Sequence, residues 1–179
     1  MEHIILGLLI LRERTIYQLR ERINKGLNLM YSGSTGSIQA AIKKLLQAEY
    51  ISFTEIVENG KYKKTYSITE NGKIHFYEWV NAPLENANIK SPALVKIYFM
   101  GLSDKLSRIR NVEIYIELLK RQYRDICFIC QEGENMEVPE KGREIYQYQL
   151  ATALYGRELL KFNIEWYENF LSNIRGDRL

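Results

Sequence analysis

The apolar pattern of this chain changes its period at Tyr50. Between Ile38 and Leu46 the apolar residues recur every three to four positions, whereas in the runs 51–56 and 62–68 residue types alternate. A period near 3.6 indicates a helix with one buried face, and a period of 2 indicates strands. The sequence therefore predicts a helix followed at once by a two-stranded hairpin.

The helix before Tyr50 separates its residues cleanly between two faces. On a helical wheel the apolar residues fall within an arc of roughly 140°. The opposite face holds only donors, amides and small residues, namely Gly36, Ser37, Gln39, Ala40, Lys43, Lys44 and Gln47. Such a face suits the major groove of DNA, where side chains read base edges and small residues allow close approach. An ordinary surface helix would show the same pattern, so the hairpin has to decide between the two interpretations.

The hairpin carries a strong turn signal and a cluster of lysines. Asn59-Gly60 tolerates positive φ at both central positions of a type I′ turn, so it predicts tight pairing of the two strands. Lys61, Lys63 and Lys64 follow at or near the tip. Lysines there can simply protect an edge strand from aggregation. Directly after a polar-faced helix, however, they favour a wing that straddles DNA phosphates.

Charge distribution gives weak support in the same direction. The chain has 179 residues and is 46% hydrophobic, enough for one or two domains with a real core. Residues 1–80 hold 11 Lys and Arg against 8 Asp and Glu, giving +3, while 81–179 hold 14 against 14. The excess positive charge thus lies in the half that contains the predicted wing.

Capping signals place four helices in a domain at 1–82. We expect helices at about 2–12 and 16–25, the second opened by a capping box of Thr15 and Gln18. Either Ser34 or Thr35 caps the third helix. Thr69 caps a fourth helix, which stops before a linker at 81–92.

Long helices are predicted for a second domain at 93–179. A short helix at 93–102 precedes Ser103, which we expect to cap a helix of about 29 residues ended by Gly133. Pro139 suits the first turn of another long helix running to about Asn173.

Each long helix carries an apolar seam with steps of three and four. The seams include Ile109, Val112, Ile116, Leu119 and Tyr123 on the first helix, and Tyr155, Leu159, Phe162 and Trp166 on the second. Helices of roughly 45 Å are longer than the first domain is wide. Two seams therefore favour an antiparallel pair that also packs on a second subunit, with a monomeric helical hairpin as the alternative.

Catalytic and targeting motifs do not emerge from the sequence. Cys127 and Cys130 form a C-x-x-C without further ligands nearby, and Cys130 falls on a helical seam, so we expect packing rather than metal or redox chemistry. The only histidines, His3 and His75, belong to separate helices, and there is no glycine-rich phosphate loop. The apolar run at 4–11 lacks the flanks of a signal peptide and is too short to span a membrane. We therefore predict a cytoplasmic protein that is not an enzyme and uses no metal or cofactor.

The whole chain resembles the PadR family of bacterial transcriptional regulators. The resemblance is carried by Ile-Tyr-Gln-Leu at 16–19, Gly-Ser-Ile at 36–38, Ala-Ile-Lys-Lys-Leu at 41–45 and the wing-closing Tyr-Ser-Ile-Thr-Glu-Asn-Gly at 66–72. The long terminal helices resemble the larger, AphA-like subgroup, whose tail embraces the partner subunit. Thr35 stands where the family usually has proline, and Gln39 where it usually has tyrosine, so the base preference does not transfer.

The resemblance also implies contacts and a ligand. It makes Tyr17 a candidate for binding phosphate, and it implies a small aromatic effector. Aromatic residues of the tail could line a pocket for such a ligand, although their helical spacing favours packing.

Together these features predict a mainly helical protein with a small β-wing, built from an N-terminal winged helix-turn-helix and a C-terminal long-helix dimerisation domain. We expect a homodimeric repressor that binds a palindromic operator in double-stranded DNA and has no membrane contact. The DNA-binding residues would be Tyr17, Ser34, Ser37, Gln39, Lys43, Lys44, Lys61, Lys63 and Lys64. The alternative is an AphA-like co-activator or adaptor that works through protein contacts of the helical tail.

Overall fold

A computed structural model describes residues 1–26, 34–58, 61–84 and 91–179. The chain divides into two compact units, Met1–Asn86 and Ala87–Leu179. The predicted Asn59-Gly60 turn and most of the predicted linker lie outside the described residues, as does the side chain of Lys61.

The first unit is a winged helix-turn-helix. Its elements are α1 Glu2–Leu11, α2 Ile16–Gly26, α3 Thr35–Gln47, β1 Ile51–Glu58, β2 Lys61–Ile68 and α4 Glu70–Asn81. The two strands pair antiparallel, with Ile51 opposite Ile68 and Glu58 opposite Lys61. The predicted change of period at Tyr50 is confirmed, because α3 ends at Gln47 and β1 begins at Ile51.

Side-chain caps begin the helices where the sequence predicted them. Thr15 and Gln18 form the capping box of α2, with each backbone N–H donating to the other's side chain, at 2.9 and 3.3 Å. Ser34, rather than Thr35, caps α3, since its hydroxyl oxygen accepts from the Ser37 N–H at 3.1 Å. The Thr69 hydroxyl accepts from the Gly72 N–H and so caps α4.

One core holds the first unit together. The buried apolar side chains come from all of its elements except α4, and Phe76 of α4 packs against them. Helix α1 contributes Ile5, Leu6, Leu8 and Leu9, which explains its apolar composition. Gly7 leaves room for Phe76, because a Cβ there would lie 3.0 Å from the ring.

The second unit consists of α5 Pro92–Tyr98, a 3₁₀ turn at Met100–Leu102, α6 Lys105–Glu134 and α7 Glu140–Arg175. The last two form an antiparallel pair, because Leu119 and Val112 share a core with Tyr167 and Ile174. The predicted mainly helical fold with a small wing is confirmed.

Three details of the long helices differ from the prediction. Asp104, not Ser103, caps α6, because its carboxylate accepts from the Ser107 N–H at 2.9 Å. Gly133 lies inside α6 rather than ending it, and it makes room for α7, since a Cβ there would lie 2.8 Å from Leu150. Pro139 is the N-cap of α7 and not its first helical residue.

The cysteines lie in the interior of α6. Cys130 is buried and Cys127 is half-buried, and both thiols are free. Burial raises the pKa of the Cys130 thiol, which keeps it in its protonated, unreactive form.

Across the described ranges, no helix combines the length and the apolar character that a membrane crossing requires.

Candidate nucleic-acid interface

Helix α3 turns its apolar arc inward and its polar face outward. Ile38, Ala41, Ile42 and Leu45 are buried, with exposures of 5% or less. The exposed residues are Thr35, Gly36, Gln39, Ala40, Lys43, Lys44 and Gln47. The predicted division of the helix between core and solvent is thus confirmed.

The two serines at the start of α3 already have structural partners. Ser34 provides the cap, and the half-buried Ser37 donates its hydroxyl to the Ser34 carbonyl at 2.8 Å. Gln39 follows two residues after Ser37 and is exposed. Of these three predicted DNA contacts, Gln39 therefore presents its polar atoms most freely to a groove.

Lysines extend the cationic surface from α3. Lys43 and Lys44 are both exposed, and the Lys44 ammonium lies 3.4 Å from the carboxylate of Glu2 on α1. An exposed ion pair of this kind contributes only about 0–1 kcal/mol. Glu2 therefore holds the Lys44 ammonium only weakly.

The wing places Lys63 and Lys64 on opposite faces, because successive strand residues alternate. The Lys64 ammonium lies 3.1 Å from the carboxylate of its cross-strand partner Glu55 and 4.1 Å from the centre of the Phe53 ring. Lys63 is exposed beside it. A wing with a lysine on each face suits a groove that has phosphates on both sides.

A cleft of about 460 Å³ separates the start of α2 from the wing. Its lining consists of Thr15, Ile16, Tyr17, Gln18, Lys63, Lys64 and Tyr66. Tyr17 is 65% exposed, so most of its surface is open to solvent beside the cleft.

The wing is fixed to the loop between α1 and α2. Arg14 and Tyr66 exchange backbone hydrogen bonds of 3.1 and 2.9 Å, and the Ser67 hydroxyl donates to the carboxylate of Glu13 at 2.7 Å. Arg14 is 7% exposed and donates its Nε–H to the carbonyl of Leu8. Burial, reinforced by Arg12 and Arg22, lowers the pKa of Arg14. These contacts hold α2 and the wing at a fixed separation, which maintains the cleft.

The predicted dimerisation residues divide into two groups. Val112, Ile116 and Leu119 are buried against α7 of the same chain, and Ile109 packs beside them. Tyr123 is half-buried. The α6 seam is therefore filled by contacts within the chain.

The α7 seam remains largely exposed. Tyr155 is 69% and Phe162 59% exposed, and Leu159 and Trp166 are 44% and 38% exposed. These four residues define what we call the α7 aromatic face.

Comparison with known proteins covers both units. The family described as virulence activator alpha C-term matches residues 89–175. The negative transcriptional regulator PadR of Bacillus subtilis is 23% identical, over 99% of this chain and 98% of that protein. The chain is thus similar to this PadR regulator along nearly its whole length.

Solved structures share the fold along nearly the whole length. The crystal structure of Bacillus subtilis PadR in complex with operator DNA has a TM-score of 0.79 at 22% identity, covering 97% of this chain and 98% of that one. Its complex with p-coumaric acid has a TM-score of 0.75 at 20% identity, with the same coverage. The Vibrio cholerae virulence activator AphA has a TM-score of 0.74 at 15% identity, covering 98% of both chains. The resemblance to an AphA-like PadR protein is confirmed.

Reading the sequence missed several residues that shape this surface. Glu55 neutralises Lys64, Arg14 anchors the wing, and Arg20 lies between α2 and α3. The alternation of strands places residue 55 on the same side of the hairpin as residue 53, but the cross-strand register was needed to identify its partner. The contacts of Arg14 and Arg20 join elements that are distant in sequence and leave no periodic signal.

Proposed function

We propose that this protein is a homodimeric, sequence-specific DNA-binding regulator that represses transcription in the cytoplasm by occupying its operator. The observation that carries the proposal is the continuous exposed surface formed by the polar face of α3, the wing and the Tyr17 cleft. A helix with a core face and a donor-bearing face, followed by a lysine-bearing wing, fits the major groove and its flanking phosphates.

Different residues of this surface have different roles in the proposal. Gln39 reads base edges, since its amide N–H can donate to adenine N7 while its amide oxygen accepts from adenine N6–H. Lys43, Lys44, Lys61, Lys63 and Lys64 bind phosphates, as does Tyr17. Ser34 and Ser37 contribute mainly by fixing the start of α3, with their hydroxyls close to the backbone of the DNA.

Dimerisation proceeds through the α7 aromatic face. Its aromatic side chains are large and exposed, and their burial against a second copy would provide hydrophobic stabilisation. A twofold molecule engages two half-sites about one helical turn apart, which matches a palindromic operator.

One relative supports the direction of regulation and a ligand. The Bacillus subtilis relative is named a negative regulator, and it has been solved both with operator DNA and with p-coumaric acid. By analogy, we propose that a small aromatic molecule relieves repression here. It would bind among the tail aromatics that are not taken up by the core shared by α6 and α7.

The second candidate function is a co-activator or adaptor whose working surface is the helical tail. Two observations favour it: the virulence-activator match over residues 89–175 and the exposure of the α7 aromatic face. This function requires a different protein as the binding partner. It does not require tight binding to operator DNA.

Footprinting of the DNA upstream of the protein's own gene separates the two functions. The repressor proposal expects a protected imperfect palindrome, affinity that falls steeply with salt, and reduced transcription in a purified system when the site is occupied. Protection accompanied by increased transcription would favour activation. Absence of salt-dependent binding to any DNA would contradict both the repressor and the DNA-binding role.

A further inference from the structure

We propose that Arg20 binds a DNA phosphate beside the first turn of α3, and that Tyr17 and Thr35 hold its guanidinium in position. The inference rests on the proposed DNA-binding function and adds to it a phosphate contact together with the residues that orient it.

The geometry places Arg20 between two elements of the interface. Its Nη1 donates to the Thr35 hydroxyl at 3.4 Å, and its guanidinium carbon lies 5.6 Å from the centre of the Tyr17 ring. Tyr17 and Arg20 are three residues apart on α2, which makes them neighbours on the helix surface, and a cation within about 6 Å of a ring face is attracted to it. The buried Leu19 and Ile23 anchor α2 in the core of the first unit.

The partners of Arg20 are neutral, whereas several lysines of the first unit are paired with carboxylates. Lys25 is paired with Glu21 at 2.6 Å, Lys44 with Glu2 and Lys64 with Glu55. Within the described parts of the chain, no carboxylate forms an ion pair with Arg20. A phosphate therefore meets the full charge of Arg20 without first displacing a carboxylate.

The free donors of Arg20 lie where a phosphate is favoured. A guanidinium has five N–H donors and binds phosphate in a bidentate manner, and the contact with Thr35 uses one of them. Thr35 is the first residue of α3, and the amino end of a helix attracts anions. Tyr17 contacts Arg20 and also lines the cleft with Lys63 and Lys64, so Arg20 adds to the cationic surface beside the wing.

The test uses the full-length protein and a short duplex of mixed sequence, because phosphate contacts are independent of sequence. Affinity is measured by fluorescence anisotropy from about 50 to 200 mM salt. We expect Arg20→Ala to weaken binding by about tenfold and to reduce the slope of log K against log salt by about 1. Arg20→Lys should keep the slope but lose affinity by a few-fold, because an ammonium lacks the planar fork.

Arg22→Ala is the matched control. It removes the same charge from an exposed position on α2 that lies about 200° around the helix from Arg20. Binding by this variant should retain the wild-type affinity and salt slope, and thermal melting of each variant checks that the fold is intact.

Variants of Thr35 test the positioning role. Thr35→Val removes the acceptor and should weaken binding by about two- to threefold without changing the salt slope, whereas Thr35→Ser should restore it. If wild-type protein bound DNA but the Arg20→Ala and Arg22→Ala proteins had the same affinity and salt slope, the Arg20 contact would be refuted. The proposed DNA-binding function would not be affected by that result. Absence of salt-dependent binding by wild-type protein would overturn the proposed function as well.

Discussion

Gln39 is the residue on which sequence preference should depend most. It is exposed near the amino end of α3, the part of a recognition helix that usually reaches base edges. We expect Gln39→Ala to cost about 1–3 kcal/mol of binding free energy on the operator and little on random DNA. Competition binding with both duplexes measures the difference, and equal losses would reduce Gln39 to a phosphate-positioning residue.

Glu55 should limit the affinity of the wing for DNA. Its carboxylate pairs with Lys64 at 3.1 Å and must give way when a phosphate binds. We expect Glu55→Gln to tighten binding to operator and random DNA alike, by up to about fivefold, since exposed ion pairs are worth up to about 1 kcal/mol.

The matched control for Glu55 is Glu21→Gln, which removes the same charge from a carboxylate that pairs with Lys25 at 2.6 Å on α2. Parallel anisotropy titrations compare the two variants. If the Glu21 variant tightened binding as much as the Glu55 variant, net charge rather than release of Lys64 would explain the effect.

Gly72 closes the wing because no side chain fits there. A Cβ at this position would lie 2.0 Å from the carbonyl oxygen of Tyr50, which also accepts from the Thr69 N–H at 3.0 Å. We expect Gly72→Ala to lower the free energy of unfolding of the first unit by about 1–3 kcal/mol or more. Gly36→Ala should instead stabilise it, because a Cβ there meets only the Ser34 hydroxyl at 4.0 Å and alanine favours the helix. Chemical denaturation that gave the same sign for both variants would contradict this account.

At the scale of elements, four aromatic rings join α1 to α4. His3 stacks on Trp79 and His75 on Tyr50, each pair with ring centres 4.5 Å apart, and the two imidazoles lie 5.3 Å from each other. Burial, together with the nearby His75, lowers the pKa of His3. His3 lies on α1 and stacks on Trp79 of α4. Protonation of His3 therefore affects the contact between these two helices.

The lowered pKa of His3 predicts that the first unit loses stability in mild acid. In the unfolded chain His3 has its ordinary pKa of 6.5, and in the folded state its pKa is lower. Below pH 6.5 the unfolded chain therefore binds a proton at His3 more readily than the folded chain does. The free energy of unfolding falls for this reason until the pH passes the folded pKa. Above 6.5 both states are neutral and the full stability is retained. Melting followed by Trp79 fluorescence in a Trp166→Phe background should show a drop as the pH falls below 6.5, and His3→Gln should flatten it. An unchanged profile in the His3 variant would assign the drop to other groups.

At the scale of the molecule, the α7 aromatic face is where we expect two copies to meet. Phe162→Glu places a charge in the middle of this face and should convert the dimer to a monomer, because burying an unpaired charge is strongly unfavourable. Lys161→Glu, at an exposed neighbouring position, should leave the dimer intact. Sedimentation of the full-length variants measures this, and weakened operator binding should accompany the monomer because only one half-site can then be engaged. A wild-type protein that sedimented as a monomer would refute the dimer.

The sequence by itself determined the parts of this protein that are local in the chain. The two faces of α3, the strands on either side of Asn59-Gly60, and the caps at Thr15 and Thr69 follow from periodicity and from side chains that bond to their own neighbours. Interactions of this kind are set by spacing, so spacing reveals them. Even the exact start of α6 required the structure, because Ser103 and Asp104 are both good caps.

Only the tertiary structure decided which surfaces are occupied. The two seams of the long helices look alike in sequence, yet the α6 seam is buried within the chain and the α7 aromatic face is not. The partners of Lys64, Arg14 and Arg20 likewise lie on other elements. A contact between elements depends on how their faces pack in three dimensions, and a one-dimensional pattern shows that a face is apolar or charged without showing what covers it.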